Sequence, residues 1–326
     1  MGQATPTKSE ISHAAAVLQQ GGLVAFPTET VYGLGANALN PIAVAAIFEA
    51  KQRPSFDPLI VHIAEMDSLS QVAVIADTRV FDLAQAFWPG PLTIILPKSD
   101  LIPDIVTSGL PDVAVRMPRH PVALELIRQA GFPLAAPSAN RFGKLSPVKA
   151  SHVKKQLPSV SCILDGGNCT VGLESTVIKI LDDGFVILRH GAITSLMLSK
   201  VLPESKHSYE NKVLVTSPGM MKSHYSPEKC VYLIGIHPLP KDISQGGLIT
   251  FIPKVDQGFR LQHHLSINGD LIEAAVNLFG LLHEMEDADV QFIAVETVPE
   301  TGIGLAVMDR LRKASYRFHN AGLHHE

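Results

Sequence analysis

Two cations stand two residues apart where a predicted helix ends. Asn40 and Pro41 begin that helix, with Asn as the N-terminal cap and Pro at the first helical position, and Pro54 ends it near Arg53. Beyond the helix, Lys51 and Arg53 would point to one side of the chain and could together bind a triphosphate or a carboxylate. The alternative is that the helix dipole alone favours cations at this position.

A short polar segment, Ala136-Pro137-Ser138-Ala139-Asn140, follows an apolar strand-like run. In an extended chain Ser138 and Asn140 face the same way, and they offer hydroxyl and amide groups that can hydrogen-bond a phosphate or a ribose. An ordinary turn is the alternative, because Pro, Ser and Asn are common turn residues.

A third polar segment, PTETVYGLG at 27–35, lies where a buried strand meets what its glycines predict to be a loop. Such a segment suits a small polar ligand, although a plain loop would have the same composition. His62 and Arg116 lie within apolar strand-like runs. A lone buried histidine is usually only hydrogen-bonded, whereas a buried arginine requires an anionic partner, so Arg116 is the more informative of the two.

Strand and helix patterns alternate around these segments and predict one α/β unit over residues 1–198. The predicted helices span 12–20, 40–53, 75–87 and 121–130. The predicted strands span 23–26, 59–63, 92–96, 113–116, 134–136 and 176–180.

Residues 199–229 have the composition of a linker, rich in Ser, Lys, Glu, Pro and Gly. A second, smaller α/β unit is predicted over 230–326. Its predicted strands span 231–234, 247–251 and 292–295, and its predicted helices span 271–285 and 304–318. A chain of 326 residues is long enough for two cores.

Composition excludes several classes of protein. The chain has 46% hydrophobic and 18% charged residues, which is typical of a folded protein. Residues 1–200 carry 16 Lys/Arg against 16 Asp/Glu, and residues 201–326 carry 11 against 15, so the basic excess of most nucleic-acid-binding proteins is missing. Three cysteines without a C-x-x-C pair favour a reducing compartment. No targeting or membrane-spanning run is found, so we expect a cytoplasmic location.

Read together, the motifs resemble those of the threonylcarbamoyl-AMP synthase family, whose catalytic part is the YrdC-like domain. The resemblance implies an α/β fold with a twisted mixed sheet in a YrdC-like catalytic domain at 1–198. It also implies a lid at 199–229 and a smaller Rossmann-like α/β domain at 230–326. It rests on segments that occur in family order: PTETVYGLGA at 27–36, KQRPSFDPLIVH at 51–62, WPGPLT at 88–93, VAVRMP at 113–118, PSAN at 137–140, LDGG at 164–167, GLESTVI at 172–178, LRHGAI at 188–193 and SPGMMKSHYSP at 217–227.

The resemblance implies an enzyme that makes threonylcarbamoyl-AMP and pyrophosphate from L-threonine, bicarbonate and ATP. The product would pass to a downstream tRNA threonylcarbamoyl transferase, which modifies tRNA next to the anticodon, and direct tRNA binding by this chain is expected to be weak or absent. Mg²⁺ would arrive with the nucleotide, because no carboxylate cluster marks a dedicated metal site.

The resemblance also assigns residues. ATP would be held by Lys51, Arg53, Ser138, Asn140, Ser146, Arg189 and His224, with Lys51 and Arg53 catalytic. Threonine would be held by Thr30, His62, Arg116, Ala136 and Ser175. Arg116 suits the threonine carboxylate as a bidentate pair.

Two departures from the family pattern are found. His190 follows Arg189 where proline is common, which implies a small shift of a loop, and Ser223 stands where a basic residue is frequent, which implies a weaker grip on phosphate. Two other functions stay open. One is a concave RNA-binding module, which the neutral first half disfavours. The other is a carbamoyl transferase like the hydrogenase-maturation enzymes, whose additional zinc-finger-like and acylphosphatase units this chain lacks.

Overall fold

The structure, a computed structural model, describes residues 5–207 and 225–319. We call these two ranges the N-terminal region and the C-terminal region. Within them the strands are β1 Val24–Phe26, β2 Gly33–Asn37, β3 Ile60–His62, β4 Leu92–Pro97, β5 Asp112–Arg116, β6 Leu134–Ala135, β7 Cys162–Ile163, β8 Thr176–Leu181, β9 Gly184–Arg189, β10 Cys230–Leu233, β11 Gly246–Thr250, β12 Leu261–His264 and β13 Phe292–Val295.

The α-helices within the described ranges are α1 Lys8–Gln19, α2 Pro41–Lys51, α3 Leu69–Val72, α4 Arg79–Phe87, α5 Asp104–Thr107, α6 Pro121–Ala130, α7 Ala150–Gln156, α8 Ser195–Leu198, α9 Leu271–Asp287 and α10 Gly304–His319. Two short 3-10 turns lie at Met66–Ser68 and Ile243–Gln245.

The N-terminal region forms a nine-stranded sheet in the order β7-β1-β2-β6-β3-β5-β4-β8-β9. The sheet contains parallel pairs, such as β3 with β5 and β4 with β8, and antiparallel pairs, such as β8 with β9. The predicted twisted mixed sheet is therefore confirmed.

One prediction in this sheet was wrong, because residues 33–37 form strand β2 rather than a loop. The strand pairs antiparallel with β1, with Val24 opposite Gly35. A Cβ atom on Gly35 would lie 2.8 Å from the Phe26 ring, so this position requires glycine for close packing and not for a turn. Glycine therefore marks a close approach between two strands here.

Helices cover the sheet and bury its apolar residues. Ile11 and Leu18 of α1 share one apolar cluster with Val122 and Leu126 of α6. The larger core cluster contains α2 and α4 and continues into α9 and α10 of the C-terminal region. The core of the N-terminal region is therefore continuous with that of the C-terminal region.

The C-terminal region forms a four-stranded sheet in the order β10-β13-β11-β12, and all of its neighbouring strands are parallel. Its central strand β13 is buried over all four residues. A parallel sheet buried by helices is typical of a Rossmann-like α/β unit. Residues 208–224 of the predicted linker lie outside the described residues, as does the tail beyond His319.

Candidate functional site

A partly open cavity lies over one face of the nine-stranded sheet. Ile60 and His62 are two residues apart in β3, so both point to this face, and Arg116 is the register partner of His62 in β5. Eight predicted site residues line the cavity: Thr30, Arg53, His62, Arg116, Ala136, Ser138, Ser175 and Arg189. All five predicted threonine residues and three of the seven predicted ATP residues thus share one space.

Arg53 reaches the cavity because of the way α2 ends. Asn40 caps the helix start as predicted, and Gln52 follows the helix with left-handed backbone angles of φ 52° and ψ 41°. The Arg53 amide then donates to the Phe48 carbonyl at 2.9 Å, which turns the chain back sharply. The guanidinium pairs with Asp57 at 2.8 Å. Burial lowers the pKa of Arg53, and Asp57 opposes this effect.

Lys51 is buried, but it does not line the cavity. Its Nζ donates to the carbonyl oxygens of Ser138, at 2.6 Å, and Asn140. Burial, with Arg53 nearby, lowers the pKa of Lys51 well below its usual value. Lys51 therefore fixes the backbone of residues 138–140, and Ser138 of this segment lines the cavity.

Asn140 is also turned away from the cavity. Its amide nitrogen donates to the carbonyl oxygens of Arg141, at 2.9 Å, and Lys144, at 2.8 Å. The Asn140 side chain therefore stabilises the loop at residues 141–144. This is the turn role that was the alternative for this segment, because Asn is a common turn residue.

Arg116 lies in a network of buried groups beside the cavity. Its Nη2 is 2.6 Å from Glu29 Oε1, its Nη1 donates to Thr30 Oγ1 at 2.9 Å, and its Nε donates to the Gly90 carbonyl at 3.2 Å. Glu29 is the anionic partner that a buried arginine requires. Sequence reasoning missed Glu29, although it is the carboxylate next to Thr30 in the polar segment PTETVYGLG at 27–35.

His62 stays neutral over a wide pH range. Its Nδ1 lies 3.2 Å from the Ile60 carbonyl oxygen, and burial, with Arg116 nearby, lowers its pKa to about 3. A neutral imidazole can still donate or accept a hydrogen bond, so His62 can contact a polar ligand without adding charge to the cavity.

Arg189 is brought beside Ser175 by the β8–β9 hairpin, in which Val177 pairs with Arg189. The guanidinium donates from Nε to the Ser175 carbonyl and from Nη2 to Ser175 Oγ, both at 3.0 Å. Ser175 Oγ also lies 2.7 Å from Thr93 Oγ1. Burial lowers the pKa of Arg189. Strand β9 was not predicted, although the Asp183-Gly184 turn signal stands at its start.

Seven residues of the cavity lining were not predicted as site residues, and two of them, Glu174 and Tyr225, have ionisable side chains. Glu174 accepts a hydrogen bond from the hydroxyl of Ser146, a predicted ATP contact that is fully buried and does not line the cavity. Tyr225 directly follows the undescribed segment, and burial raises its pKa. Both residues lie in segments that carry the family resemblance, GLESTVI and SPGMMKSHYSP, and this was the sequence signal that could have identified them.

The remaining predicted residues lie elsewhere. His190 is exposed after the end of β9 and does not line the cavity. His224 and Ser223 lie outside the described residues.

Three arginines and one acid, Glu174, are among the described residues that line the cavity. Its charged lining therefore favours anionic ligands. In residues 5–207 and 225–319 we find no group of three or more His, Cys, Asp or Glu placed to hold a metal ion. Over the same residues, the helices are too short or too polar to cross a membrane.

Two family profiles match this chain. Residues 16–191 match the Sua5/YciO/YrdC family profile, described as telomere recombination. Residues 193–315 match the profile of the threonylcarbamoyl-AMP synthase C-terminal domain.

Similar proteins are found along nearly the whole chain. A threonylcarbamoyl-AMP synthase of Bacillus subtilis is 42% identical and aligns over 94% of this chain and 93% of its own. One of Pyrococcus abyssi is 43% identical over 94% of each. The crystal structure of Pyrococcus abyssi Sua5 complexed with L-threonine superposes with a TM-score of 0.86 at 41% identity, covering 96% of both chains. This chain therefore belongs to the Sua5/YciO/YrdC family and, within it, to the threonylcarbamoyl-AMP synthases that carry a C-terminal domain.

Proposed function

We propose that the chain catalyses the formation of threonylcarbamoyl-AMP and pyrophosphate from L-threonine, bicarbonate and ATP, as an L-threonylcarbamoyladenylate synthase. The observation that carries the proposal is the convergence of three arginines on one cavity together with hydroxyl side chains, among them those of Thr30, Ser138 and Ser175. A family member at 42% identity over 94% of this chain supports the same activity.

In the proposed complex the two substrates occupy neighbouring parts of the cavity. Thr30, His62, Arg116, Ala136 and Ser175 would contact threonine. Arg53, Ser138 and Arg189, with His224 from the linker, would contact ATP. Lys51, Asn140 and Ser146 belong to the proposed ATP set as well, but Lys51 would reach a phosphate only by giving up a carbonyl of the Ser138–Asn140 segment.

The proposed reaction forms two bonds in turn. The neutral threonine amine bonds to the carbon of bicarbonate, with loss of water, or to the carbon of carbon dioxide, with loss of one proton to solvent. Either route gives an N-carboxy-threonine. A carboxylate oxygen then bonds to the α-phosphorus of ATP, and the bond to the β-phosphate oxygen breaks to release pyrophosphate. The chain contributes by positioning these anions beside fixed arginines, which stabilise the negative charge that develops in the transition state.

Mg²⁺ is proposed to enter with ATP, where it would neutralise phosphate charge. Three carboxylates near the cavity are already paired: Glu29 with Arg116, Asp57 with Arg53 and Glu174 with Arg310. They suit a structural role better than that of direct metal ligands, so a metal held by the phosphates fits the chain better than a metal held by protein groups.

We also propose the division of the chain and its setting in the cell. Residues 1–198 would be the catalytic domain, 199–229 a lid that folds over the nucleotide, and 230–326 the C-terminal domain. A lid that excludes water would protect the labile adenylate. The enzyme would be cytoplasmic, would deliver its product to a tRNA threonylcarbamoyl transferase, and would bind tRNA weakly or not at all.

One assay tests the proposed activity. The protein is incubated with ATP, bicarbonate and each of several amino acids, and pyrophosphate and the nucleotide product are measured. We expect pyrophosphate release that depends on threonine and bicarbonate, with an adenylate of matching mass. A salt-sensitive complex with tRNA and no ATP consumption would instead favour the RNA-binding function, and turnover of carbamoyl phosphate would favour the carbamoyl transferase.

A further inference from the structure

An ion pair joins the cavity wall to the C-terminal region. Arg310 in α10 donates from Nε to Glu174 Oε2 at 3.0 Å. The Arg310 side chain is 0% exposed and that of Glu174 is 8% exposed, so the pair is almost completely removed from solvent. Glu174 lines the cavity, whereas Arg310 does not. A residue 136 positions further along the chain thus contacts the wall of the proposed active site.

The C-terminal helices hold the surroundings of Glu174 as well. The other Glu174 oxygen accepts from Ser146, and His283 Nε2 of α9 lies 3.1 Å from the Ser146 carbonyl oxygen. Gly172, with φ +75°, packs so closely that an added Cβ would lie 2.6 Å from the Val276 Cα of α9. Both the carboxylate and the backbone before it are therefore fixed against the C-terminal region.

Arg310 also contacts Tyr225, which lines the cavity. Its guanidinium carbon lies 5.4 Å from the centroid of the Tyr225 ring, a distance typical of a cation–π contact. Its Nη1 donates to Asp309 Oδ2 at 2.8 Å. Burial opposes the charge, yet Tyr225, Glu174 and Asp309 together hold the pKa of Arg310 above its usual value.

The charge of Glu174 matters because of what the cavity is proposed to bind. ATP and the N-carboxy intermediate are anions, and a buried carboxylate facing them without a cation would repel them. Arg310 is in direct contact with the Glu174 carboxylate, and Arg189 of the cavity lining adds a second positive charge whose field acts on Glu174. Because Arg310 is behind the cavity wall, it can neutralise Glu174 without touching the substrates.

We infer that Arg310 is a positioning residue of the synthase site, which fixes and neutralises Glu174 in the cavity wall so that anionic substrates can bind. This inference rests on the proposed function. It gives the C-terminal region a direct part in substrate binding.

Four variants of the full chain test the inference: Arg310→Met, Glu174→Gln, the double variant and Arg312→Met. Arg312 is the matched control, because it lies on the same helix, is half-exposed and pairs with the exposed Glu300. By analogy with outer-shell contacts in other enzymes, Arg310→Met should weaken ATP binding about 10- to 100-fold in calorimetry. The double variant should recover most of this loss, because a neutral amide no longer repels phosphate.

A merely structural role would not produce that recovery. Wild-type ATP affinity in Arg310→Met, or a double variant as weak as Arg310→Met, would overturn the inference. If Arg310→Met does not fold, Arg310→Lys takes its place. The lysine keeps the charge but cannot contact Glu174 and Asp309 in the same fork geometry, so we expect a measurable loss of less than about 10-fold. Glu174→Gln alone should bind ATP about as well as the wild type, because its amide carries no charge. Wild-type affinity in a folded Arg310→Lys would again overturn the inference.

Amide hydrogen exchange over residues 172–176, measured without nucleotide, separates this inference from the proposed function. Arg310→Met should lose protection there and Arg312→Met should not. A wild-type chain that releases no threonine-dependent pyrophosphate would defeat the proposed function. The exchange comparison would still decide whether Arg310 fixes the cavity wall, and unchanged protection in Arg310→Met would count against it.

Discussion

The two sheets of this molecule bury different kinds of side chain. The nine-stranded sheet buries Arg53, His62, Arg116 and Arg189 around one cavity, whereas the strands of the four-stranded sheet bury mainly apolar side chains. Burying a charge is costly unless it is paired, so a region that buries several paired charges is a candidate for function. The C-terminal region makes one large exception, Arg310, and that residue contacts the cavity wall.

Charged side chains at the surface of the C-terminal region form exposed ion pairs. Arg260 pairs with Asp289, whose side chain is 90% exposed, and such pairs add little to stability. The comparison therefore predicts large effects for charges buried near the cavity and small effects for charges at the surface.

The largest effect is expected on catalysis from Arg53→Ala. Removing a fixed electrostatic donor typically lowers the rate by about 10²- to 10³-fold. Threonine-dependent pyrophosphate release measures the loss, and Arg128→Ala is the control, because Arg128 lies in the last turn of α6 with a half-exposed side chain. Near-normal release from Arg53→Ala would remove Arg53 from the proposed site.

A smaller effect, on stability, is expected from Lys51→Met. The change removes the buried donor of the Asn140 carbonyl and leaves the Ser138 carbonyl with only the Asn140 amide, which costs about 1–3 kcal/mol in the free energy of unfolding. Urea denaturation measures it, with Lys154→Met as the control, since Lys154 is an exposed lysine in the last turn of α7. Equal stability of the two variants would mean that Lys51 does not support the segment.

A third effect depends on pH. The unfolded chain protonates His62 near its usual pKa of 6.5, whereas the folded protein does so only near 3. The contribution of His62 to stability is therefore complete above pH 6.5 and is lost progressively as the pH falls towards 3. His62→Gln should reduce the loss of unfolding free energy between pH 7 and pH 5 by about 2 kcal/mol.

The control for that experiment is His13→Gln, which changes an exposed histidine of α1. Its pH dependence should match that of the wild type. If His62→Gln and the wild type lose stability in parallel as the pH falls, then His62 is not held neutral in the folded protein.

Much of the fold could be predicted because local patterns determine it. The apolar runs of β3, β4 and β5 and the Asn40-Pro41 start of α2 are fixed by residues close in sequence. The start of α1 was placed four residues too late, although Thr7 and Glu10 form a capping box that marks it.

The rest could not be predicted because it depends on contacts distant in sequence. The side chains of Lys51 and Arg53 point to different places because Gln52, between them, adopts a left-handed backbone conformation. Nothing in the residue type of Gln52 requires that conformation. Glu174 and Arg310 are far apart in sequence and lie in contact only in the folded structure. The site residues that line the cavity were predicted by family motif rather than by pattern, and their contacts with ligands stay predictions.

A structure of this protein with L-threonine and a non-hydrolysable ATP analogue tests the central claim most directly. We predict both ligands in the cavity over β3 and β5, with the threonine carboxylate at Arg116 and the phosphates at Arg53 and Arg189. Either ligand bound elsewhere, or phosphates out of reach of both arginines, would contradict the account.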